Sequence, residues 1–236
     1  MRMWGLMLVL LLGFGMGFAQ VPGGGVYKVK NGSDVSSVIP FAERYQFDKF
    51  QQGTVLLRNG RSSRALMNYN LVHGEVLFID AKKDTLLFDN TDFISKIFVG
   101  DDLFYYTKGH GHVHAIQEFG KVKLGKKLFL VRMGNEKYAS YQQYSATSAI
   151  SSYSSFINQN GNFQALEGNE KVILKRRAVY FLIDQNERVM VASRPNLLKI
   201  YHVYRKELTA FLKQNDSNLE TEADWTQVLE FAGTLH

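Results

Sequence analysis

The sequence predicts an α+β protein that consists mainly of an antiparallel β meander, followed by a C-terminal two-helix hairpin. Short runs of alternating apolar and polar residues, separated by Gly, Asn and Asp, fill most of residues 51–193. Beyond residue 194 the apolar spacing changes to three and four. Strands with one buried face can form a curved sheet, a roll or an open barrel, and the two helices can cover it.

The chain begins with a segment typical of a signal peptide, which we predict at residues 1–19. Arg2 precedes an apolar run at 4–18, and Gly17-Phe18-Ala19 has the small-x-small form of a cleavage site. The alternative is a membrane anchor, but the run is short for a span of about 20 residues. We therefore expect an exported protein of the periplasm or the outer-membrane periphery, with no membrane-spanning segment after cleavage.

Residues 20–50 are predicted to form an N-terminal extension, glycine-rich at first and then a short helix or edge strand at 35–50. The antiparallel β domain follows at 51–193. Asn59-Gly60 favours a type I′ hairpin turn. Turns are also expected at 80–84 and 184–187, because aspartate bonds to its own backbone there. The strands are expected at 54–58, 62–69, 72–79, 85–88, 93–99, 103–107, 112–119, 122–133, 170–175, 178–183 and 188–192.

A Tyr/Ser-rich segment at 134–165 interrupts the strand pattern and is predicted to be a loop. Tyrosine offers amphipathic contact area at a low entropic cost. The tyrosines of this segment are therefore candidates for contact with a partner protein or a glycan, although they can equally fold back onto the sheet. The four candidates are Tyr138, Tyr141, Tyr144 and Tyr153.

The C-terminal residues 194–236 are predicted to form a helical hairpin packed on the sheet. Ser193 and Pro195 suit the start of the first helix, and Thr221 with Asp224 resembles the capping box of the second. Neither amphipathic helix can bury its apolar face alone, so both are expected to pack on each other and on the sheet. The apolar residues that define the two faces are Leu197, Tyr201, Tyr204, Leu208 and Phe211, then Trp225, Val228, Leu229 and Ala232.

One cluster has the composition of a metal site. His110, His112 and His114 alternate along a predicted strand, so they share one face at intervals of roughly 6.5 Å. Neighbouring imidazoles at this spacing can bind zinc or copper, with a third ligand from elsewhere. The alternative is a histidine-rich hairpin tip or a solvated strand face. The candidate third ligands are His73, Glu75, Asp101 and Asp102.

The absence of certain residues and motifs excludes several classes of functional site. The chain has no cysteine, which excludes disulfides, thiolate metal sites and cysteine nucleophiles. No serine-hydrolase, phosphate-binding, zinc-protease or calcium-loop motif occurs. No catalytic residue is therefore assigned, and no cofactor is expected apart from a possible zinc or copper ion.

The formal charge is +6, and it is unevenly distributed. Two basic groups can face an anionic lipid, a polysaccharide or an acidic partner, or they can be an ordinary solvated sheet surface. This modest excess in an exported protein does not favour nucleic acid. The first group is Lys121, Lys123, Lys126, Lys127 and Arg132; the second is Lys171, Lys175, Arg176 and Arg177; residues 216–230 are acidic.

Several segments together resemble uncharacterised exported β-rich proteins of Bacteroidetes-type bacteria. These segments are Gly53-Thr-Val-Leu-Leu, Asn59-Gly60, Leu66-Met-Asn-Tyr-Asn70, Gly74-Glu-Val-Leu-Phe and Ala192-Ser193 with Lys199. The resemblance spans most of residues 50–235. It implies a location in the cell envelope and brings no activity, cofactor or site with it.

The sequence thus favours a non-catalytic periplasmic or envelope-associated binding or scaffold protein, whose partner is an envelope protein or a glycan. The alternative is a metal-binding protein or metal-dependent enzyme that uses His110, His112 and His114.

Overall fold

The computed structural model describes residues 26–30, 38–89, 91–138, 144–147, 171–215 and 217–235. The predicted signal peptide lies outside these residues. The strands are β1 (Val26–Lys30), β2 (Gln51–Leu57), β3 (Ser62–Asn70), β4 (Glu75–Ile79), β5 (Thr85–Leu87), β6 (Ile94–Val99), β7 (Asp102–Thr107), β8 (Gly111–Phe119), β9 (Val122–Tyr138), β10 (Tyr144–Thr147), β11 (Lys171–Asp184) and β12 (Val189–Val191).

All twelve strands belong to one antiparallel sheet, which is open. The order along it is β1-β11-β9-β8-β7-β6-β2-β3-β4-β5, with β10 and β12 added beside β9 and β11. β2 lies between β3 and β6, so the chain runs outward through β5 and returns to the other side of β2. The predicted β-rich α+β fold is confirmed.

The sheet curls strongly, so that the turn after β3 reaches the middle of β9. The Tyr69 hydroxyl donates to the Leu128 carbonyl at 3.1 Å, and the Leu130 N–H donates to the Val72 carbonyl at 3.4 Å. This curl encloses an apolar cluster built from β2, β3, β4, β6 and β7. Its buried members are Val55, Met67, Tyr69, Leu71, Val76, Ile94, Ile97, Val99 and Phe104.

The helices are α1 (Phe41–Arg44), α2 (Arg194–Ile200), α3 (Arg205–Gln214) and α4 (Glu222–Gly233), with 3-10 turns at Thr91–Phe93 and His202–Tyr204. α2, α3 and α4 pack on β8, β9 and β11. This second cluster comprises Phe119, Val122, Leu124, Leu182, Leu197, Tyr201, Leu208, Leu212, Trp225, Val228, Leu229 and Ala232.

The predicted starts of both C-terminal helical segments are confirmed. Ser193 Oγ accepts from the Asn196 N–H at 3.4 Å. Thr221 and Asp224 form a reciprocal capping box, with bonds of 3.2 and 2.9 Å. The first segment, however, is not one helix. It breaks at Tyr201, whose ψ of 45° leaves the helical range, and resumes as α3 after the 3-10 turn.

Other predicted boundaries also differ. The extension at 20–50 contributes β1, which pairs with β11, so part of it belongs to the sheet. The predicted loop at 134–165 is partly strand, because β9 runs to Tyr138 and residues 144–147 form β10; residues 139–143 and 148–165 lie outside the described part. The predicted strands 170–175 and 178–183 are one continuous strand, β11.

Candidate functional site

The three histidines occupy different environments. His110 is exposed in the turn between β7 and β8, whereas His112 on β8 is 1% exposed. His114 lies further along β8, opposite Phe104 of β7 and Lys126 of β9. Among the described residues there is no group of three or more His, Asp or Glu side chains close enough to hold a metal ion.

His112 is bound to Glu75, a residue from the far side of the curl. One carboxylate oxygen of Glu75 accepts from the His112 N–H at 3.1 Å and also bonds His112 Nδ1. The other oxygen accepts from Lys127 Nζ at 2.9 Å. Burial alone raises the pKa of Glu75, but His112 and Lys127 outweigh burial and leave that pKa below its ordinary value.

The reason for this contact lies in the strand pairing. β8 pairs with β9 only from His114 onward, so the N–H of His112 has no partner in β9. A backbone donor buried without a partner is costly. Glu75, carried on β4 by the curl, accepts from that donor and so joins two strands that share no backbone ladder. Gly74 beside it has φ of +67°, and a Cβ there would lie 2.7 Å from Lys127 Cε.

His114 has a separate carboxylate partner. Its Nε2 lies 2.6 Å from Asp102 Oδ1, and its ring stacks on Phe104 with centroids 4.7 Å apart. Burial lowers the pKa of His114, and Asp102 opposes that shift in part. Glu75 bonds only Nδ1 of His112, and the buried Nε2 of that ring has no hydrogen-bond partner. On His114, Asp102 occupies Nε2, so a metal bound through that nitrogen would have to displace the carboxylate. The predicted metal site stays a prediction, with His112 and His114 bonded to different acids.

The other two candidate ligands are placed differently. Asp101 is exposed in the turn before β7. His73 lies in the turn after β3, where its N–H donates to Asn70 Oδ1 at 3.1 Å. Burial lowers the pKa of His73 to about 4, and the negative charge of Glu75 opposes this only in part. His73 is therefore neutral at pH 7.

A groove of about 550 Å³ is lined by residues of β2, β3 and β4 and by the segment that follows β5. Its wall is largely apolar and includes Leu57, Ala65, Phe78 and Phe88. The rings of Phe78 and Phe88 stack with centroids 4.7 Å apart. These side chains also pack against the enclosed apolar cluster, so the groove reaches the edge of the core.

The rim of the groove combines apolar and charged groups. Phe93, which lines it, is 67% exposed, and Leu86 on the neighbouring β5 is 41% exposed. Arg64, Asp80 and Asp89 also line it. Large apolar side chains left open beside a groove are characteristic of binding surfaces.

The strand beside this groove has a free backbone edge within the described part of the chain. β5 pairs only with β4 and ends the strand order. The Asp80 N–H donates to the Asp84 carbonyl, and backbone direction alternates along an antiparallel strand. Leu86 therefore points its backbone groups at β4, whereas Thr85 and Leu87 point theirs away from the sheet.

The candidate tyrosines are described only in part. Tyr138 and Tyr144 are backbone partners in the ladder between β9 and β10. Tyr141 and Tyr153 lie outside the described residues. Their predicted contact with a partner or glycan stays a prediction.

The first predicted basic group is largely neutralised. Lys123 bonds Glu118, Lys126 bonds Glu222 and Lys127 bonds Glu75. Lys121 lies over the ring of Tyr201, 6.0 Å from its centroid. Lys123, Lys126 and Lys127 belong to ion pairs within the protein, so an anionic partner would have to compete for them.

Comparisons of the chain with protein-family models, with curated proteins and with solved structures found no match. The resemblance to exported β-rich proteins therefore remains an expectation from the sequence. Within the described residues, no helix has the length and apolar character needed to cross a membrane.

Sequence reasoning missed the groove. Its wall comes from residues far apart in the chain, such as Ala65 and Phe88, which only the curl brings together. One local signal was available. Phe93 follows Thr91 and Asp92, and a large aromatic residue directly after a polar turn can be solvent-exposed.

Proposed function

We propose that this chain is a non-catalytic binding protein that holds an extended apolar segment of another protein in the groove beside β5. The observation that carries the proposal is the position of an open apolar groove of about 550 Å³ next to a sheet edge. Side chains of an added strand can enter such a groove while its backbone pairs with the edge.

Three features support an extended polypeptide as the occupant. The outward backbone groups of Thr85 and Leu87 match the hydrogen-bonding pattern of an added strand. Leu86 on β5 and Phe93 on the lining of the groove offer exposed apolar contacts. Arg64 and Asp89 give both charge signs at the rim, where they can fix register and direction.

We further propose that this binding takes place in the cell envelope, as the signal-peptide prediction implies. The partner is then an envelope protein, and this chain is a scaffold or adaptor subunit.

The test uses a displayed library of random decapeptides selected on the full chain. We expect enriched peptides to alternate apolar and polar residues. Ala65→Trp fills the groove and should weaken their binding by about tenfold or more, equivalent to about 1.4 kcal/mol. Ala210→Trp, at an exposed position on α3, is the matched control and should not change it.

A second variant pair tests the strand edge. Thr85→Pro removes an outward N–H without removing a bond to β4, whereas Thr85→Ala keeps that N–H. Loss of peptide binding in the first variant alone supports strand addition. Peptides that bind Ala65→Trp and Thr85→Pro as tightly as the wild type would overturn the proposal.

A further inference from the structure

Positive charge is concentrated in the stretch of sequence that includes β9 and β11. Residues 120–183 contain ten lysines and arginines but only three glutamates and no aspartate, a formal charge of +7, whereas the whole chain carries +6. Three of these lysines are bonded to carboxylates that lie outside this stretch. Most of the other cations belong to β9 and β11 beyond residue 130, where β11 lies between β9 and β1.

The pairing of β1 with β11 places several of the cationic side chains on one face of the sheet. Val26 is the backbone partner of Lys175, and Lys28 that of Ile173. Directly paired residues and residues two apart share a face. Val26, Lys28, Lys30, Lys175 and Arg177 therefore lie on the same side, and all five are exposed.

The opposite side of the same strands faces the protein. Val29 and Leu174 are buried together and pack with Tyr27 and Leu130. Arg176 donates to the Glu43 carbonyl at 2.7 Å, so the side chain next to Lys175 and Arg177 is directed at α1. The exposed face is thus set by strand alternation.

Apolar groups lie among the exposed cations. Val26 is 57% exposed, and Met133 is 51% exposed. Met133 is the extra residue of a β-bulge, since Ile173 pairs with Gly134 and Leu174 pairs with Arg132. Phe129, the backbone partner of Arg177, is half-buried. We call Val26, Lys28, Lys30, Lys175 and Arg177 the basic face.

Cations interspersed with exposed apolar side chains are the composition that binds the interface of an anionic bilayer. We propose that the basic face docks this protein reversibly on a membrane surface that contains anionic phospholipid.

Co-sedimentation of the full chain with vesicles tests this. The vesicles consist of phosphatidylcholine alone, or of equal parts of phosphatidylcholine and phosphatidylglycerol. We expect binding to the anionic vesicles only, weakening as salt is added. Any contribution from residues 1–19 is the same in wild type and variants, so the comparison between them reports on the basic face.

The face variant replaces Lys28, Lys30, Lys175 and Arg177 with Gln. Each cation near an anionic bilayer contributes about 1 kcal/mol, about fivefold in affinity, so we expect the variant to lose about a hundredfold or more. The control replaces Lys82, Lys108, Lys206 and Lys213 with Gln; these are exposed cations on other elements, and the change in net charge is equal. A third variant with Arg at Lys28, Lys30 and Lys175 should still bind.

Two outcomes would overturn the proposal directly. One is equal loss in the face variant and the control, which would make binding a matter of net charge. The other is equal binding to both kinds of vesicle. A third outcome is that the protein binds dextran sulfate but not the vesicles, and that only the face variant loses dextran sulfate binding. The basic face is then a site for an acidic polysaccharide, and the membrane proposal fails.

Discussion

The two halves of the sheet are held by different kinds of contact. In the helix-covered half, α2, α3 and α4 bury a cluster whose twelve buried members, Trp225 among them, are all apolar or aromatic. The curled half also has an apolar core. It adds three of the four buried polar residues in the described chain, namely Asn68, Asn70 and His112.

These polar residues act where strands lack a backbone partner. Asn68 bonds both the N–H and the carbonyl of Phe47, at 3.2 and 2.8 Å. Asn70 Oδ1 accepts from the N–H groups of Val72 and His73. A sheet that curls without closing leaves such groups unpaired, and side chains must satisfy them. The helix-covered half therefore depends on packing volume, and the curled half on hydrogen bonds and charge.

The largest effect is expected from Trp225→Ala. Trp225 is 1% exposed, and its loss leaves a large cavity under the helices. The free energy of unfolding should therefore fall by about 3–5 kcal/mol. Urea denaturation measures this as a lower midpoint. Trp225→Phe keeps most of the volume and should cost clearly less. A loss below about 1 kcal/mol for the alanine variant would show that the helices add little to the sheet.

A smaller effect, about 2–3 kcal/mol, is expected from Glu75→Gln. The change leaves Lys127 and His112 without their shared carboxylate, and a charge that loses its buried partner is destabilising. Asp102→Asn is the comparison, because the Asp102 side chain is 34% exposed and exposed pairs contribute less than about 1 kcal/mol.

Hydrogen exchange locates the effect of Glu75→Gln. The His112 amide should exchange faster in this variant, since its acceptor is weakened, while amides of α4 should keep their protection relative to the global stability. Uniform loss of protection in both halves would contradict the division between them.

Much of the fold follows from local patterns. Alternation located β2 to β8 within a few residues, and the Ser193 and Thr221 signals located the helix starts. The type predicted for the Asn59-Gly60 turn is wrong. A type I′ turn needs positive φ at both central residues, whereas only Gly60 has it, at +82°. The Gly60 N–H donates to the Leu57 carbonyl, and the Leu57 N–H donates to the Arg61 carbonyl. The connection is therefore a longer turn with a bulge.

The candidate site was less predictable, for a physical reason. Glu75 and His112 are 37 residues apart, and which strands meet across a curl depends on the curvature of the whole sheet, which no short window contains. The histidine spacing predicted one strand for all three residues, but only His112 and His114 lie on β8, and each of these two has its own acid. β1 was missed because only five residues alternate there, directly after a glycine-rich stretch.

The curled half should also make the stability of the protein depend on pH. The pKa of His73 is lowered to about 4 in the folded chain, against about 6.5 unfolded. The unfolded chain therefore binds more protons between these values, and stability falls as pH drops from about 6.5 towards 4. One pKa unit corresponds to about 1.4 kcal/mol, so the loss of stability over this pH window is on the order of 2–3 kcal/mol.

His73→Gln should flatten this part of the curve of unfolding free energy against pH. His202→Gln, at an exposed position in the helix-covered half, should leave it unchanged. If instead both variants keep the wild-type slope, the acid sensitivity does not arise from the turn after β3.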